Sequence, residues 1–411
     1  MKFKQLIIPT ILILIGESVF ILPFLVTRIF RPTFLKVFDI TNFQLGAAFS
    51  VYGIIAAISY FFGGPIADKF SPKQLLSASL ATTAIAGFGM ARIPSIEILT
   101  VLYGIWGLST ILLFWAAFIK AIRLFWTEQK QGQGYGIVDA GRGIFAAFLA
   151  SISVFLLDYM LPVSSELASL DDLSNALSTV ILLFSIITFL CSLLVFFFLP
   201  KENSKQIAAE KFDLKRIKDV AKRRSIWLNA IIVLCAYVGY KCTDDFSLYA
   251  AEVLNYNDVD AAHIGTIFFW IRPFAALAAG LLGDRFLHSN MIRLCFIILI
   301  VASLFIFSGL GDSSIELIVI ITLAISSIGI YGLRGLYFAT VGEAKIPLLF
   351  TGSAVGLISV IGYTPDIFFG PLMGQVLDSY PGEQGHQYLF GILTLFSCAG
   401  LIATSLFKKS Y

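Results

Sequence analysis

Ionisable side chains in or at the ends of otherwise apolar stretches include Glu17, Arg28, Asp139, Arg142, Lys241, Asp244, Asp245, Arg272, Arg334 and Asp366. A charge at the centre of a bilayer costs about 2.5 to 3.5 kcal/mol or more, so each must pair with another group or face a cavity. The chemistry on offer is therefore ionic recognition and proton binding rather than bond making. Glu17 and Arg28 are eleven residues apart, which on a helix leaves them within about 20° of each other, so both can face one cavity at different depths. Glu17, near the middle of its stretch, is the first candidate for a proton-coupled or solute-contacting carboxylate; its competing role is as structural partner to a base on another helix. Arg28 lies nearer an end, where its alternative is to snorkel into the headgroups. Asp139 and Arg142, three apart, can pair along one face. Lys241 precedes Asp244 and Asp245 by three and four residues, so all three can share a face and either carboxylate can neutralise the lysine. Arg272, central in its stretch and just before Pro273, needs a carboxylate or a bound anion. Asp366 and Arg334 are weaker candidates of the same kind.

Other chemistries are poorly served. The three histidines, His263, His288 and His386, have no metal-ligand spacing, and there is neither a phosphate-cradling glycine loop ending in Lys-Ser/Thr nor a G-x-S-x-G turn. No enzyme, metal or cofactor is expected. The five cysteines all fall in apolar runs, which argues against a disulfide framework.

The elements that must position these residues are legible from hydropathy. Of 411 residues, 58% are hydrophobic and 13% charged, with a mean hydropathy of +0.88, a balance that places the chain in a lipid bilayer. Twelve apolar stretches are long enough to cross about 30 Å of hydrocarbon as helices: roughly 5–27, 43–64, 75–92, 97–119, 136–158, 177–199, 226–247, 262–283, 291–310, 316–338, 350–372 and 388–407. The first lacks a small-residue cleavage site and reads as a retained span. With both termini cytoplasmic, 22 Lys and Arg residues fall on the inner face and only four outside, Arg28, Arg31, Lys36 and Arg92, which satisfies the positive-inside rule. Residues 200–225 form a basic linker between halves 1–199 and 226–411. It suits either an amphipathic helix on the anionic inner leaflet or a solvated tether. It lacks the aromatic residues that stack on bases, so no nucleic acid is expected.

The halves also repeat. Gly63-Gly-Pro-Ile-Ala-Asp68-Lys69 and Gly280-Leu-Leu-Gly-Asp284-Arg285 both read Gly-x-x-x-Asp-(Lys/Arg), with the aspartates 216 positions apart, the mark of internal duplication. Gly136-Ile-Val-Asp-Ala-Gly and Gly352-Ser-Ala-Val-Gly match at the same offset.

Twelve spans in two halves, with this motif after spans 2 and 8, resemble the major facilitator superfamily. The resemblance implies an all-α fold of two pseudo-symmetric six-helix bundles that expose a central site to each face in turn. It implies a secondary transporter, driven by an ion or counter-solute gradient and residing as a monomer in a bacterial inner membrane. Its partners would be a small solute, the lipid, and protons or a counter-anion. Asp68, Lys69, Asp284 and Arg285, with Asp139 and Arg142, would then gate the cytoplasmic side, the aspartates facing the positive ends of spans 11 and 5. Because the family builds its cavity from spans 1, 4, 7 and 10, Tyr103, Trp106 and Tyr331 join the solute-contacting candidates, with core packing as the alternative. The glycine pairs 132/136 and 352/356 would let spans 5 and 11 approach neighbouring helices.

A closer likeness covers spans 1 to 3. Phe24-Leu-Val-Thr-Arg28, Asn42-Phe-Gln-Leu-Gly-Ala and Asp68-Lys-Phe-Ser-Pro-Lys are similar to the organophosphate:phosphate antiporters, in which arginines of helices 1 and 7 grip a phosphoryl group. Arg28 matches the first. Tyr237-Val-Gly-Tyr-Lys241 resembles the second with lysine in place of arginine, and lysine lacks the bidentate fork. A carboxylate or other small organic anion suits this pair nearly as well. Some relatives of those antiporters sense a ligand without carrying it, and a proton-coupled carrier of a neutral or zwitterionic metabolite is the other alternative.

Overall fold

The computed structural model describes residues 2–125, 131–162, 167–200, 221–310, 316–343 and 351–408. Among them eleven helices are long and apolar enough to cross a membrane. They are α1 (Ile7–Ile29), α2 (Asn42–Lys69), α4 (Ile96–Phe125), α5 (Ile137–Met160), α6 (Leu170–Phe198), α7 (Arg224–Glu252), α8 (Asp258–Phe286), α9 (His288–Phe307), α10 (Glu316–Leu336), α11 (Ala354–Ser379) and α12 (Glu383–Phe407). A further long helix, α3 (Pro72–Met90), takes the place of the third expected span. It is less apolar because it carries hydroxyls, and these bond to its neighbours. Ser79 Oγ donates to the Ser109 carbonyl at 2.7 Å, Thr83 Oγ1 lies 2.8 Å from Ser109 Oγ, and Ser77 Oγ donates to the Ser192 carbonyl at 3.2 Å. Small polar side chains of this kind hold helices together in lipid, where apolar contact alone discriminates little.

Helix ends differ from the apolar stretches for local reasons. Capping boxes at Thr41/Gln44, Ser71/Gln74 and Ser169/Asp172 start α2, α3 and α6, each satisfying two N–H groups that the helix leaves open. That cap places the start of α6 seven residues before the apolar run suggests. The Gly-x-x-x-Asp-(Lys/Arg) motifs are not loops. Asp68 and Lys69 end α2, and Asp284 and Arg285 lie in the last turn of α8. Lys69 and Arg285 there meet the negative end of the helix favourably, and Lys120 Nζ donates to the Ala67 carbonyl at 2.7 Å.

The chain groups into two compact units, Met1–Ala209 with Asn257–Thr266, and Glu210–Tyr256 with Ile267–Tyr411. The beginning of α8 thus joins the first unit, where Asp258 accepts from Lys36 Nζ at 2.9 Å. Within the first unit α1 packs on α5 and α6, and α3 on α6; within the second, α7 packs on α11 and α12, and α9 on α12. The same pairings recur at the same places in each half, as a duplicated sequence requires. Ile11, Leu12, Ile15 and Val19 of α1 form one core with Leu76, Phe114, Phe118 and Val195. Phe155, Phe197, Leu281, Val301 and Leu395 lie on the outer surface, a costly arrangement in water and a suitable one against acyl chains.

Residues 201–220 of the linker, and the surroundings of Gly132, Gly136 and Gly352, lie outside the described residues. A Cβ on Gly356 would meet nothing within 4 Å, so among the described residues that glycine serves no close helix contact.

Candidate functional site

Each unit buries its own ionic cluster. In the first unit the cluster centres on Arg142 of α5, which is 6% exposed. Its Nη2 lies 3.3 Å from Glu17 Oε2 and its Nη1 3.5 Å from Asp139 Oδ1. Glu17 is buried, whereas the Asp139 side chain is 63% exposed, so Glu17 is the stronger partner and Asp139 the screened one. The guanidinium carbon lies 5.9 Å from the ring centres of both Phe20 and Phe118. Gly16 makes the room: a Cβ there would stand 2.7 Å from Phe118 Cζ and 2.8 Å from Arg142 Cδ.

Glu17 is thus paired with a base on another helix, the arrangement named as its alternative, and its shared face with Arg28 is interrupted. Between them α1 contains a π turn, Ile21–Leu25, built around Pro23. A wide turn of this kind adds about one residue, or about 100° of phase, so the shared face expected of an unbroken helix does not carry through. Arg28 is buried at 4% exposure instead of snorkelling. Arg31 is also buried and donates from Nε and Nη2 to Asn42 Oδ1 at 3.0 and 2.8 Å. Tyr103 and Trp106 of α4 are buried edge-to-face at 5.1 Å, and Trp106 Nε1 donates to the Thr83 carbonyl of α3 at 3.1 Å. Both side chains pack within the first unit.

In the second unit α7 is interrupted by a 3-10 turn at Thr243–Asp245. Thr243 Oγ1 donates back to the Tyr240 carbonyl at 2.7 Å, and a Thr-Asp-Asp run competes with the helix for its own backbone. α11 breaks at Tyr363 and Thr364, ahead of Pro365, and Asp366 enters the first turn of the following segment, where the helix end favours a carboxylate. The two breaks meet at Lys241. Its Nζ lies 2.9 Å from Asp244 Oδ2 and 3.8 Å from Asp366 Oδ1. Tyr237 Oη bonds to both Asp366 oxygens, at 3.1 and 3.0 Å.

A chain of rings leads away from this ion pair. Tyr237 stands edge-on to Tyr363 at 4.9 Å, Tyr240 faces Tyr331 at 6.4 Å, and Tyr331 meets Phe269 at 6.3 Å. Arg334 lies over Tyr240 at 4.0 Å and Arg272, 4% exposed, over Phe269 at 5.4 Å. Lys241, Asp244, Arg272 and Tyr331 are thereby gathered in one cluster together with the weaker candidates Asp366 and Arg334. Tyr237 and Tyr240, from the run before Lys241, belong to it, as do Phe269 and Tyr363, which carry no sequence signal apart from their aromatic type.

Asp245 does not belong to it. The 3-10 turn directs it away from Lys241 to His386 of α12, whose Nδ1 lies 2.8 Å from Asp245 Oδ2 and whose Nε2 lies 3.1 Å from Glu252 Oε2. Of the motif residues, Asp68, Lys69, Asp284 and Arg285 are exposed. Asp284 has a local partner in His288, at 3.2 Å, and His288 Nδ1 lies 3.3 Å from Glu343 Oε1. Gly283 permits this, since a Cβ there would come within 2.7 Å of His288 Cδ2. No group of His, Cys, Asp or Glu among the described residues could hold a metal ion.

Comparison with known proteins gives a consistent picture. The family model described as the Major Facilitator Superfamily matches residues 10–364. The chain is 27% identical over 380 residues to inner membrane protein YqcE of Escherichia coli (strain K12), covering 89% of this chain and 87% of that one. It is 26% identical over 409 residues to inner membrane protein YihN of the same organism, covering 97% and 94%. A crystal structure of the nucleoside transporter NupG superposes with a TM-score of 0.74 at 16% identity, covering 98% of this chain and 99% of that one; at that identity the likeness is one of fold.

Proposed function

This chain belongs to the major facilitator superfamily, and from that premise we propose that it is a carrier whose solute is a small organic anion. Members of the family are secondary transporters that work by alternating access, and this chain is a multi-pass membrane protein of that kind, not an enzyme. The choice of an anion rests on one observation. Among the described residues five Lys or Arg side chains are buried, Arg28, Arg31, Arg142, Lys241 and Arg272, against four carboxylates, Glu17, Asp244, Asp245 and Asp258. Two of those carboxylates are engaged by His386 and Lys36. The half-buried Arg334 and Asp366 add one charge of each sign. Buried Lys and Arg side chains thus outnumber the buried carboxylates among the described residues, a balance that favours an anionic solute over a cationic one.

The cluster at Lys241 and Arg272 is the solute-contacting site in this reading. In the empty carrier Asp244 and Asp366 hold the ammonium in place, and the solute's anionic group displaces one of them. A lysine is a point charge without a fork, so a singly charged carboxylate asks less of it than a phosphoryl dianion. The rings of Tyr240, Tyr331 and Phe269 offer faces to the solute's carbon skeleton. We further infer an inner-membrane location with both termini cytoplasmic, two six-helix halves joined by the basic linker, and a cytoplasmic gate formed with Asp68, Lys69, Asp284 and Arg285.

The test is a thermal-shift panel on the purified full chain, with small carboxylates and sugar phosphates each paired with an uncharged analogue, followed by counterflow in proteoliposomes. Anions should stabilise where their neutral analogues do not. Lys241→Ala and Arg272→Ala should each weaken the shift more than Arg142→Ala does. Equal stabilisation by the neutral analogues, or equal losses in all three variants, would remove the anion site.

A further inference from the structure

We propose that His386, Asp245 and Glu252 form a proton-binding site whose occupancy is passed to the Lys241 cluster through the Thr243–Asp245 turn. The argument starts from hydrogen counting. A neutral imidazole carries one N–H, yet His386 has a carboxylate oxygen at each nitrogen, at 2.8 and 3.1 Å. With one hydrogen only, a nitrogen lone pair would confront a carboxylate oxygen. A second hydrogen, shared between Nε2 and Glu252 Oε2, relieves that confrontation. The site therefore binds one exchangeable proton beyond the neutral imidazole.

Burial sets its route. His386 and Asp245 side chains are wholly buried, while the Glu252 side chain is 35% exposed. Protons reach Nε2 by way of Glu252, and Asp245 feels their arrival through Nδ1. The carboxylates acting on the imidazole are these two, both from α7. Tyr249 of α7 stands edge-on to the imidazole at 5.1 Å and also feels Glu383, on the first turn of α12. Tyr249 Oη and Asp245 Oδ1 are buried with no hydrogen-bond partner among the described residues, so the trio has polar atoms in reserve that a shifted imidazole or carboxylate can engage.

The coupling is built into the chain. Asp245 and Asp244 are adjacent in the same 3-10 turn; one holds His386 and the other holds Lys241. Releasing the proton through Glu252 adds one negative charge to the trio and breaks the hydrogen bond between Nε2 and Glu252. The turn then relaxes, and Asp244 moves with it relative to the ammonium. The identity of Lys241 as the solute's contact rests on the function proposed above; the proton site itself does not.

The experiment therefore needs no solute. The full chain, labelled with 15N-histidine and held in lipid nanodiscs, contains three imidazoles, and His386→Asn assigns the resonance in question. At pH 7 both nitrogens of His386 should carry hydrogen, and in Glu252→Gln one should lose it. A singly protonated imidazole in the wild type, or an unchanged one in Glu252→Gln, overturns the site. Transmission is read by a thermal double-mutant cycle of Glu252→Gln with Asp244→Asn: the shift caused by Asp244→Asn should differ by about 2 °C or more between the two backgrounds. Additive shifts overturn the transmission.

Discussion

Replacing Glu17 with glutamine keeps its size and removes its charge, leaving Arg142 of α5 with the ring faces of Phe20 and Phe118 and the exposed carboxylate of Asp139. Breaking one side of a buried pair typically costs about 3 to 5 kcal/mol, because the surviving charge remains out of water. A screened partner such as Asp139 returns at most about 1 kcal/mol, so Glu17→Gln should destabilise by about 2 to 5 kcal/mol. Arg142→Met strands Glu17 in turn and should cost a similar amount. The double variant strands neither and should lose much less than the sum. Reversible unfolding in mixed micelles, run as a double-mutant cycle, measures the coupling directly. Sums that agree within about 0.5 kcal/mol would mean that the two side chains act independently, and the structural role given to Glu17 would be wrong. If Glu17 is structural, the pH dependence of counterflow should also survive Glu17→Gln; its loss would return Glu17 to the list of coupling groups.

Three other outcomes are expected. Gly16→Ala should cost about 1 to 3 kcal/mol by forcing Phe118 and Arg142 apart, and in the Arg142→Met background, where a flexible side chain can yield, the cost should fall. Tyr237→Phe removes a donor from Asp366 and should cost about 1.5 to 3 kcal/mol, as hydrogen bonds to charged groups do, with no change in far-ultraviolet circular dichroism. Gly400→Ala places a methyl group against the Phe296 ring and should lower the thermal midpoint, while Gly356→Ala, which meets nothing within 4 Å among the described residues, should leave it unchanged.

The spans and their pairing by halves were legible because a bilayer admits few alternatives: a helix must be long and apolar, and a duplicated sequence repeats its contacts. The ionic residues were legible for the same reason, since a charge in hydrocarbon stands out. Their partners were harder to read. Glu17 meets a base 125 positions away, and no periodicity within α1 points across to α5. Asp244 and Asp245 looked interchangeable on a regular helix, and a single 3-10 turn sends them to different networks. Pro23 gives some warning of the π turn in α1, whereas the second such turn, Leu108–Trp115, contains no residue that announces it. A lone histidine such as His386 has no local pattern, and its two carboxylates lie 141 and 134 positions back in the chain.

The glycines that seat one helix against another set the stiffness of the molecule. At Gly87, Gly107, Gly385 and Gly400 an added Cβ would collide with a side chain or backbone of a neighbouring segment, so these seams are too tight to slide without unpacking. Deformation must then concentrate where the backbone ladder is already irregular: the two π turns, the 3-10 turn of α7 and the interruption before Pro365. Three of those four places flank an ionic side chain, Arg28, Lys241 and Asp366, so among the described residues compliance and charge lie side by side.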